Sequence, residues 1–266
     1  MAMLLSKRII LGNHRNESET DSRTTRSLVI PSHNLVLAAL PPSELHKIVS
    51  DSRAVNLSYL EVIYEAGDEI EFIYFPIEAV ASAVAILEDG SSVEISMTGR
   101  EGLVGLPALV GGGRALHWTR VSVSGAALKI PTASLQELVR RSEPIHDASL
   151  RAYRRLFTQI CQRSVCNVRH SLLQRLSVWL LMISDRIGAV ELPFTQEDIA
   201  NRISVRRAGV SVAASTLQAM QAISYHRGRI MITDRPAIER TACECYQVMA
   251  QDFQELGSGT HSGARF

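Results

Sequence analysis

Residues 194–212 read Phe194-Thr195-Gln196-Glu197-Asp198-Ile199-Ala200-Asn201-Arg202-Ile203-Ser204-Val205-Arg206-Arg207-Ala208-Gly209-Val210-Ser211-Val212. Thr195 is a favoured N-cap and Asp198, three positions on, closes an imperfect capping box. Phe194 and Ile199 add a hydrophobic staple, so a short helix starts at Thr195. Ile199, Ala200 and Ile203 give it one apolar face, with a small residue where another helix must cross closely. Ser204-Val205 breaks the run, and a second helix follows over Arg206 to Met220, with Val210, Ala213 or Ala214, and Leu217 facing inward. A helix, a tight turn and a second helix fronted by two arginines is the geometry that carries side chains to the base edges of a major groove.

The candidate DNA contacts are therefore Thr195, Arg206, Arg207, Gly209 and Ser211. An arginine can hold guanine O6 and N7 with two hydrogen bonds, and a serine can bond a base or a phosphate. Gly209 inside a helix costs roughly 1 kcal/mol relative to alanine; its missing Cβ would let a phosphate approach the backbone. Beyond this helix, Ile223 to Thr233 reads as strand, basic turn and strand, a hairpin whose Arg227 and Arg229 suit phosphate neutralisation. The whole is a winged helix-turn-helix.

Outward from this unit, charge is sorted by region. The chain has 266 residues and a formal net charge of +1, yet residues 37–142 carry 8 Lys+Arg against 13 Asp+Glu, and residues 168–236 carry 9 against 5. Two parts with two tasks follow from that asymmetry. The longest aliphatic or small run, Ala79 to Leu87, is interrupted by Ser82 and is half the length a membrane-spanning helix needs. Met1 to Gly12 lacks the apolar stretch and small-residue cleavage site of a secretory signal. The expectation is a cytoplasmic protein with no membrane partner.

Residues 1–34 are rich in Asn, Ser, Thr and Arg and predict a disordered tail. A short helical pattern follows around Pro41-Pro42, with Ser43 as its N-cap. From Val55 to Ile130 the runs 71–75, 79–87, 92–97 and 119–123 alternate with turn signals such as Ala66-Gly67-Asp68, Glu88-Asp89-Gly90 and Gly111-Gly112-Gly113. Strands at this spacing predict an antiparallel jelly roll. After Pro131 the period turns helical. Leu150, Tyr153, Phe157, Ile160, Ser164 and Val168 recur at alternating steps of three and four, a narrow stripe suited to pairing with the same helix of a second subunit; packing on its own barrel is the competing reading. A further helix, Leu172 to Ile187, ends at Gly188. The fold class is α+β: an N-terminal jelly roll over 35–142, a dimerisation helix over 143–170, a winged helix-turn-helix over 171–248 and a C-terminal tail over 249–266.

Over nearly all of residues 33–248 the chain resembles the Crp/Fnr family of bacterial transcription regulators. The resemblance is carried by Leu40-Pro41-Pro42-Ser43-Glu44-Leu45, Tyr64-Glu65-Ala66-Gly67-Asp68, Tyr74-Phe75-Pro76, Glu88-Asp89-Gly90 and Gly99-Arg100-Glu101-Gly102-Leu103-Val104-Gly105. It continues through Cys166-Asn167 with His170, Gln174-Arg175-Leu176, Trp179-Leu180-Leu181, Val205 to Val210 and Ala242-Cys243-Glu244-Cys245-Tyr246. It implies a cyclic-nucleotide-binding-like sensor domain, a homodimer and a near-palindromic operator in double-stranded DNA, with Arg207 as the base-reading arginine. RNA polymerase is kept as a candidate partner.

Departures from that pattern limit what carries over. Where cyclic-nucleotide binders of the family place Gly-Glu and Arg-Ser pairs, this chain has Gly105-Leu106 and Ala115-Leu116, with Arg114 one position away. A buried phosphate without its cation loses several kcal/mol, on the order of what a broken buried ion pair loses. No cofactor is expected, the effector is unknown, and cAMP is not expected to bind; the pocket candidates are Gly102, Gly105, Leu106, Arg114, Ala115 and Leu116. Cys161, Cys166, Cys243 and Cys245 are read as buried or incidental thiols with no metal: the N-terminal region has no cysteine group, Cys166 and His170 make half a site, and Cys243-Glu244-Cys245 is an awkward spacing for chelation from one loop. No P-loop, HExxH or GxGxxG motif occurs, so an enzyme is not expected. The alternative function is a ligand-sensing module whose helical end binds protein rather than DNA, motivated by Ser204 in place of a turn glycine and by Val212 where a longer polar residue often reads a base.

Overall fold

A computed structural model describes residues 31–226 and 228–257, the last six of these by their backbone alone. The expected tail over 1–34 lies outside the described residues up to position 30; residues 31–34 are ordered. A 3-10 turn, Pro31–His33, leads into α1 (Leu35–Ala38), capped by the buried Asn34, whose Oδ1 accepts from the amides of Val36 and Leu37. The amide of Asn34 also donates to the carbonyls of Pro76 and Gly102 at 2.9 Å each, pinning the chain entry to the sensor domain. In α2 (Pro42–Ser50) the N-cap is Pro41, not Ser43, because proline at the first helical position starts the turn with its φ already set.

Seven strands follow: β1 (Arg53–Leu57), β2 (Val62–Tyr64), β3 (Phe72–Pro76), β4 (Val80–Ile86), β5 (Ser92–Thr98), β6 (Trp118–Val123) and β7 (Gly125–Pro131). They form two antiparallel sheets, ordered β1-β7-β3 and β2-β6-β4-β5. Register is set by apolar pairs, Ile73 opposite Ile130 and Phe75 opposite Leu128, all buried between the sheets. A slip of either strand by one residue would take its two residues of these pairs off the shared face.

α3 (Thr132–Arg141) packs on the sandwich, and α4 (Glu143–Arg169) is the longest helix among the described residues. One face of α4 packs on the chain's own domains and another is left uncovered. Ile145, Ala148, Ala152, Gln159 and Cys166 are buried against the chain's own body, whereas Leu150, Tyr153, Phe157, Val165 and Val168 stand exposed, Val168 by 82%. Buried Gln159 does for the sheet what a neighbouring strand would. Its Oε1 accepts from the amide of Met97 at 2.8 Å and its Nε2 donates to the carbonyl of Met97 at 3.0 Å, satisfying the edge strand β5.

α5 (Leu172–Ile187) begins at a complete capping box, Ser171 with Gln174, and stops at Gly188, whose φ of +70° is the left-handed value a C-cap glycine supplies. Then come β8 (Glu191–Leu192), α6 (Gln196–Arg202), α7 (Arg207–Ala219), β9 (Ile223–His226), β10 (Arg229–Ile232), α8 (Arg235–Thr241) and α9 (Cys245–Gly257). The expected tail over 249–266 is corrected here: residues 249–257 continue α9, Ala250 is buried and Met249 packs on the C-terminal core, while 258–266 lie outside the described residues. That core is not closed within the C-terminal lobe, since Val80 of β4 and Met97 of β5 belong to it. Among the described residues no helix is long and apolar enough to cross a membrane.

Candidate nucleic-acid interface

α6 starts as its sequence dictates. Thr195 Oγ1 accepts from the amide of Asp198 at 3.1 Å, and Asp198 Oδ2 accepts from the amide of Thr195 at 2.9 Å. Phe194 and Ile199 are fully buried on either side of this cap. Tyr59 of the sensor domain donates to the second carboxylate oxygen of Asp198 at 3.1 Å. Burial would raise the Asp198 carboxyl, but the bonds from Thr195 and Tyr59 and the nearby Arg202 hold it below its ordinary range.

The turn between α6 and α7 is made by Ser204 at φ +54°, a left-handed value that glycine adopts freely and serine does not. α7 starts one residue later than expected, at Arg207, with Arg206 as N-cap, and ends at Ala219 with Met220 as C-cap. Val210, Ala213, Ala214 and Leu217 are all buried, so both alanines face inward. Arg206 and Arg207 are exposed, and neither guanidinium has an intramolecular partner among the described residues. Ser211 is half-buried beside them. The outer face of α7 also includes Ala208, Val212 and Ser215, and Val212 is 70% exposed.

Gly209 lies close against a neighbouring helix. A Cβ there would stand 2.8 Å from Cδ2 of Leu172, so the bare backbone lets the front of α7 lie against the start of α5. The wing is as predicted in form: β10 pairs with β9 and with β8, and Gly228 turns the hairpin at φ +79°. Arg227 lies outside the described residues. Arg229 is exposed but engaged, its Nη1 2.6 Å from Glu191 on β8, so a phosphate would have to displace an exposed carboxylate.

In the sensor domain a cavity of about 210 Å³ opens between the strands and α4. Of the expected pocket residues, Gly105, Leu106, Ala115 and Leu116 line it. Gly102 does not; it faces Thr98 in a smaller neighbouring cavity, and its carbonyl is taken by Asn34. Arg114 points away, donating to the carbonyl of Gly67 at 2.8 Å, because its bridge with Glu69 fixes that edge of the loop. Gly105 is at φ +97°, and a Cβ there would meet the Tyr64 hydroxyl at 2.8 Å. Ile160 of α4 reaches the same cavity, so the stripe expected at a subunit contact also touches the pocket. No Lys, Arg, Asp or Glu occurs among the lining residues.

The two lobes are joined by buried charge, which sequence reading missed. Glu94 on β5 receives Arg163 Nη1 of α4 at 2.8 Å, Arg202 Nη1 of α6 at 3.0 Å, Trp179 Nε1 of α5 at 3.2 Å and Ser82 Oγ at 2.6 Å. Burial alone would raise this carboxyl strongly, yet Arg163, Arg202 and the Ser82 bond together hold it below the ordinary carboxylate range. A second buried pair, Arg186 with Glu101 at 2.8 Å, fastens the end of α5.

Comparison with known proteins agrees with this anatomy. The family model for the cyclic nucleotide-binding domain matches residues 55–142, and that for the Crp-like helix-turn-helix domain matches residues 174–241. Among solved structures, FixK2 from Bradyrhizobium japonicum is similar with a TM-score of 0.64 at 14% identity, covering 72% of this chain and 98% of its own. The c-di-GMP responsive global regulator CLP from Xanthomonas campestris has a TM-score of 0.60 at 14% identity, covering 72% of this chain and 99% of its own. A CRP-family transcriptional regulator from Thermus thermophilus has a TM-score of 0.60 at 18% identity, covering 71% of this chain and 96% of its own. No curated protein matches the sequence. With a cyclic nucleotide-binding domain fold ahead of the long helix, a winged helix-turn-helix behind it and family models in place on both, the chain belongs to the Crp/Fnr family of transcriptional regulators.

Proposed function

We propose that this regulator acts as a homodimer that reads a near-palindromic operator with the tips of its two α7 helices, and that cAMP does not control it. The carrying observation is the exposed, unpartnered pair Arg206 and Arg207 at the start of α7. Two such tips on a two-fold axis address half-sites one helical turn apart, about 34 Å. Dimerisation is supported by the apolar stripe of Leu150, Tyr153, Phe157, Val165 and Val168, left uncovered by the chain's own core, with the Tyr153 and Phe157 rings stacked at 6.3 Å. Independence from cAMP is supported by buried Leu106 in place of an acidic residue, by Arg114 being held at Gly67, and by a cavity wall that has His117 but no lysine or arginine. Such a wall suits a small, largely apolar effector.

Fluorescence anisotropy on duplex DNA from upstream of its own operon, at two salt concentrations, tests the reading. Binding weakens as salt rises, with a slope of about −0.9 per neutralised phosphate. Arg207→Ala loses roughly 5- to 150-fold in specific affinity per half-site, corresponding to ~1–3 kcal/mol for a bidentate guanine contact. Salt-independent binding, or specific affinity unchanged in Arg207→Ala while a protein partner is lost, overturns it in favour of a protein-binding role for the helical end.

A further inference from the structure

Four side chains far apart in sequence meet beneath the C-terminal end of α4. Cys166 and His170 lie four residues apart, one helical turn, and therefore on one face. Cys243 and Cys245 come from the junction of α8 with α9. Cys166 Sγ is 3.6 Å from Cys243 Sγ, Cys245 Sγ is 3.4 Å from His170 Nδ1, and all four ligand atoms lie within 4.8 Å of one another. All three cysteines are buried and His170 is half-buried.

From this juxtaposition we propose that Cys166, His170, Cys243 and Cys245 form a tetrahedral zinc site that fastens the end of the long helix to the last two helices. Zn–S bonds of about 2.3 Å and a Zn–N bond of about 2.0–2.1 Å place tetrahedral ligand atoms roughly 3.5–3.8 Å apart, and the two observed separations, 3.6 and 3.4 Å, already lie close to that edge. The Cys-x-Cys spacing is awkward only when one loop must supply the whole site; here α4 supplies the other two ligands. A set this compact holds a single ion, not an iron–sulfur cluster, whose cysteines are spread around several metal and sulfide atoms.

The surroundings are those of a metal centre. His170 Nε2 lies 3.3 Å from the Glu244 carboxylate, which orients the ring and leaves Nδ1 for the ion, as outer carboxylates do for ligating histidines. Gln162 Nε2 donates to Cys245 Sγ at 3.2 Å, and Arg175 lines the same recess as Cys166. The Arg175 charge offsets the net negative charge of three thiolates and a neutral imidazole around a dication, and the Gln162 amide gives the Cys245 sulfur a donor. Loading is balanced as one Zn²⁺ taken up and three thiol protons released, with no change of oxidation state.

The test uses the full chain purified without a histidine tag. Elemental analysis is expected to find one zinc per chain. Exchange into cobalt is expected to give the intense visible absorption of a tetrahedral thiolate centre with charge-transfer bands in the near ultraviolet. Cys243→Ser and Cys245→Ser lose the metal, and Cys161→Ser, outside the set, keeps it. Should a variant fail to fold, the wild-type chain still decides: blocking its thiols with a mercurial releases zinc to a chromogenic chelator in proportion to the thiols modified. A chain that stays metal-free after zinc supplementation, a cobalt spectrum without thiolate bands, or a Cys166–Cys243 disulfide found by mass spectrometry under reducing purification overturns the proposal.

Discussion

Replacing Glu94 by glutamine removes one negative charge and almost no volume from the point where β5, α4, α5 and α6 meet. The carboxylate is 2% exposed, and its partners Arg163 and Arg202 are 11% and 13% exposed. Removing one partner of a buried ion pair costs about 3–5 kcal/mol, because the surviving charges stay desolvated without compensation. Here two guanidiniums are stranded, and the glutamine amide must turn its NH₂ towards one of them. For a chain of this size each kcal/mol shifts the melting temperature by roughly 2–4 °C, so Glu94→Gln is expected to melt roughly 6–20 °C below wild type in differential scanning calorimetry. Glu137→Gln, which loses exposed pairs with Arg140 and Arg141 on α3, is the control and leaves the melt unmoved. The dependence on pH has a definite sign. The folded Glu94 is lowered, so its contribution is present above the unfolded carboxylate value of about 4.3 and fades as pH falls through the lower folded value. The gap between wild type and variant therefore closes below about pH 4. Coincident melting curves at neutral pH would refute the assignment of interdomain docking to this carboxylate.

Ser204→Gly relieves a left-handed serine in an exposed turn and is expected to raise stability by up to about 1 kcal/mol, read from urea unfolding with an unchanged slope; a loss of stability would show that Ser204 makes a contact of its own. Phe157→Glu places charge in the exposed stripe of α4 and is expected to shift sedimentation towards a monomer, with operator affinity falling in parallel. In a thermal-shift titration cAMP leaves the melting temperature in place, whereas a ligand at 100 times its dissociation constant would add about 2.7 kcal/mol.

Much of the architecture is legible in local chemistry. α5 runs from Leu172 to Ile187 and stops at Gly188 as the periodicity and the glycine require, and the Thr195 to Asp198 capping box is seen directly. What escapes is whatever depends on distant partners. Glu94 lies in the strand run 92–97 with nothing local to single it out; only the docking of three helices brings Arg163, Trp179 and Arg202 onto its carboxylate. Gly209 carries a signal for a close approach, but the sequence does not say whether to DNA or to Leu172. Cys166 and Cys243 are 77 positions apart, and no spacing rule joins an α4 half-site to a Cys-x-Cys on another helix junction. The start of the expected tail is helical because the core against which Met249 and Ala250 pack is assembled from residues far away in the chain.

The buried contacts of β5 with α4, α5 and α6 bear on how this molecule can be taken apart. A piece beginning at Ser171 would keep Trp179, Arg186 and Arg202 but lose Glu94 and Glu101, and it would open the hollow that Val80 and Met97 fill. In such an excised C-terminal half the arginines would be hydrated, but the hydrocarbon that Val80 and Met97 cover would stand bare to water. It is expected to clump on that face, and operator recognition is better studied on the intact polypeptide.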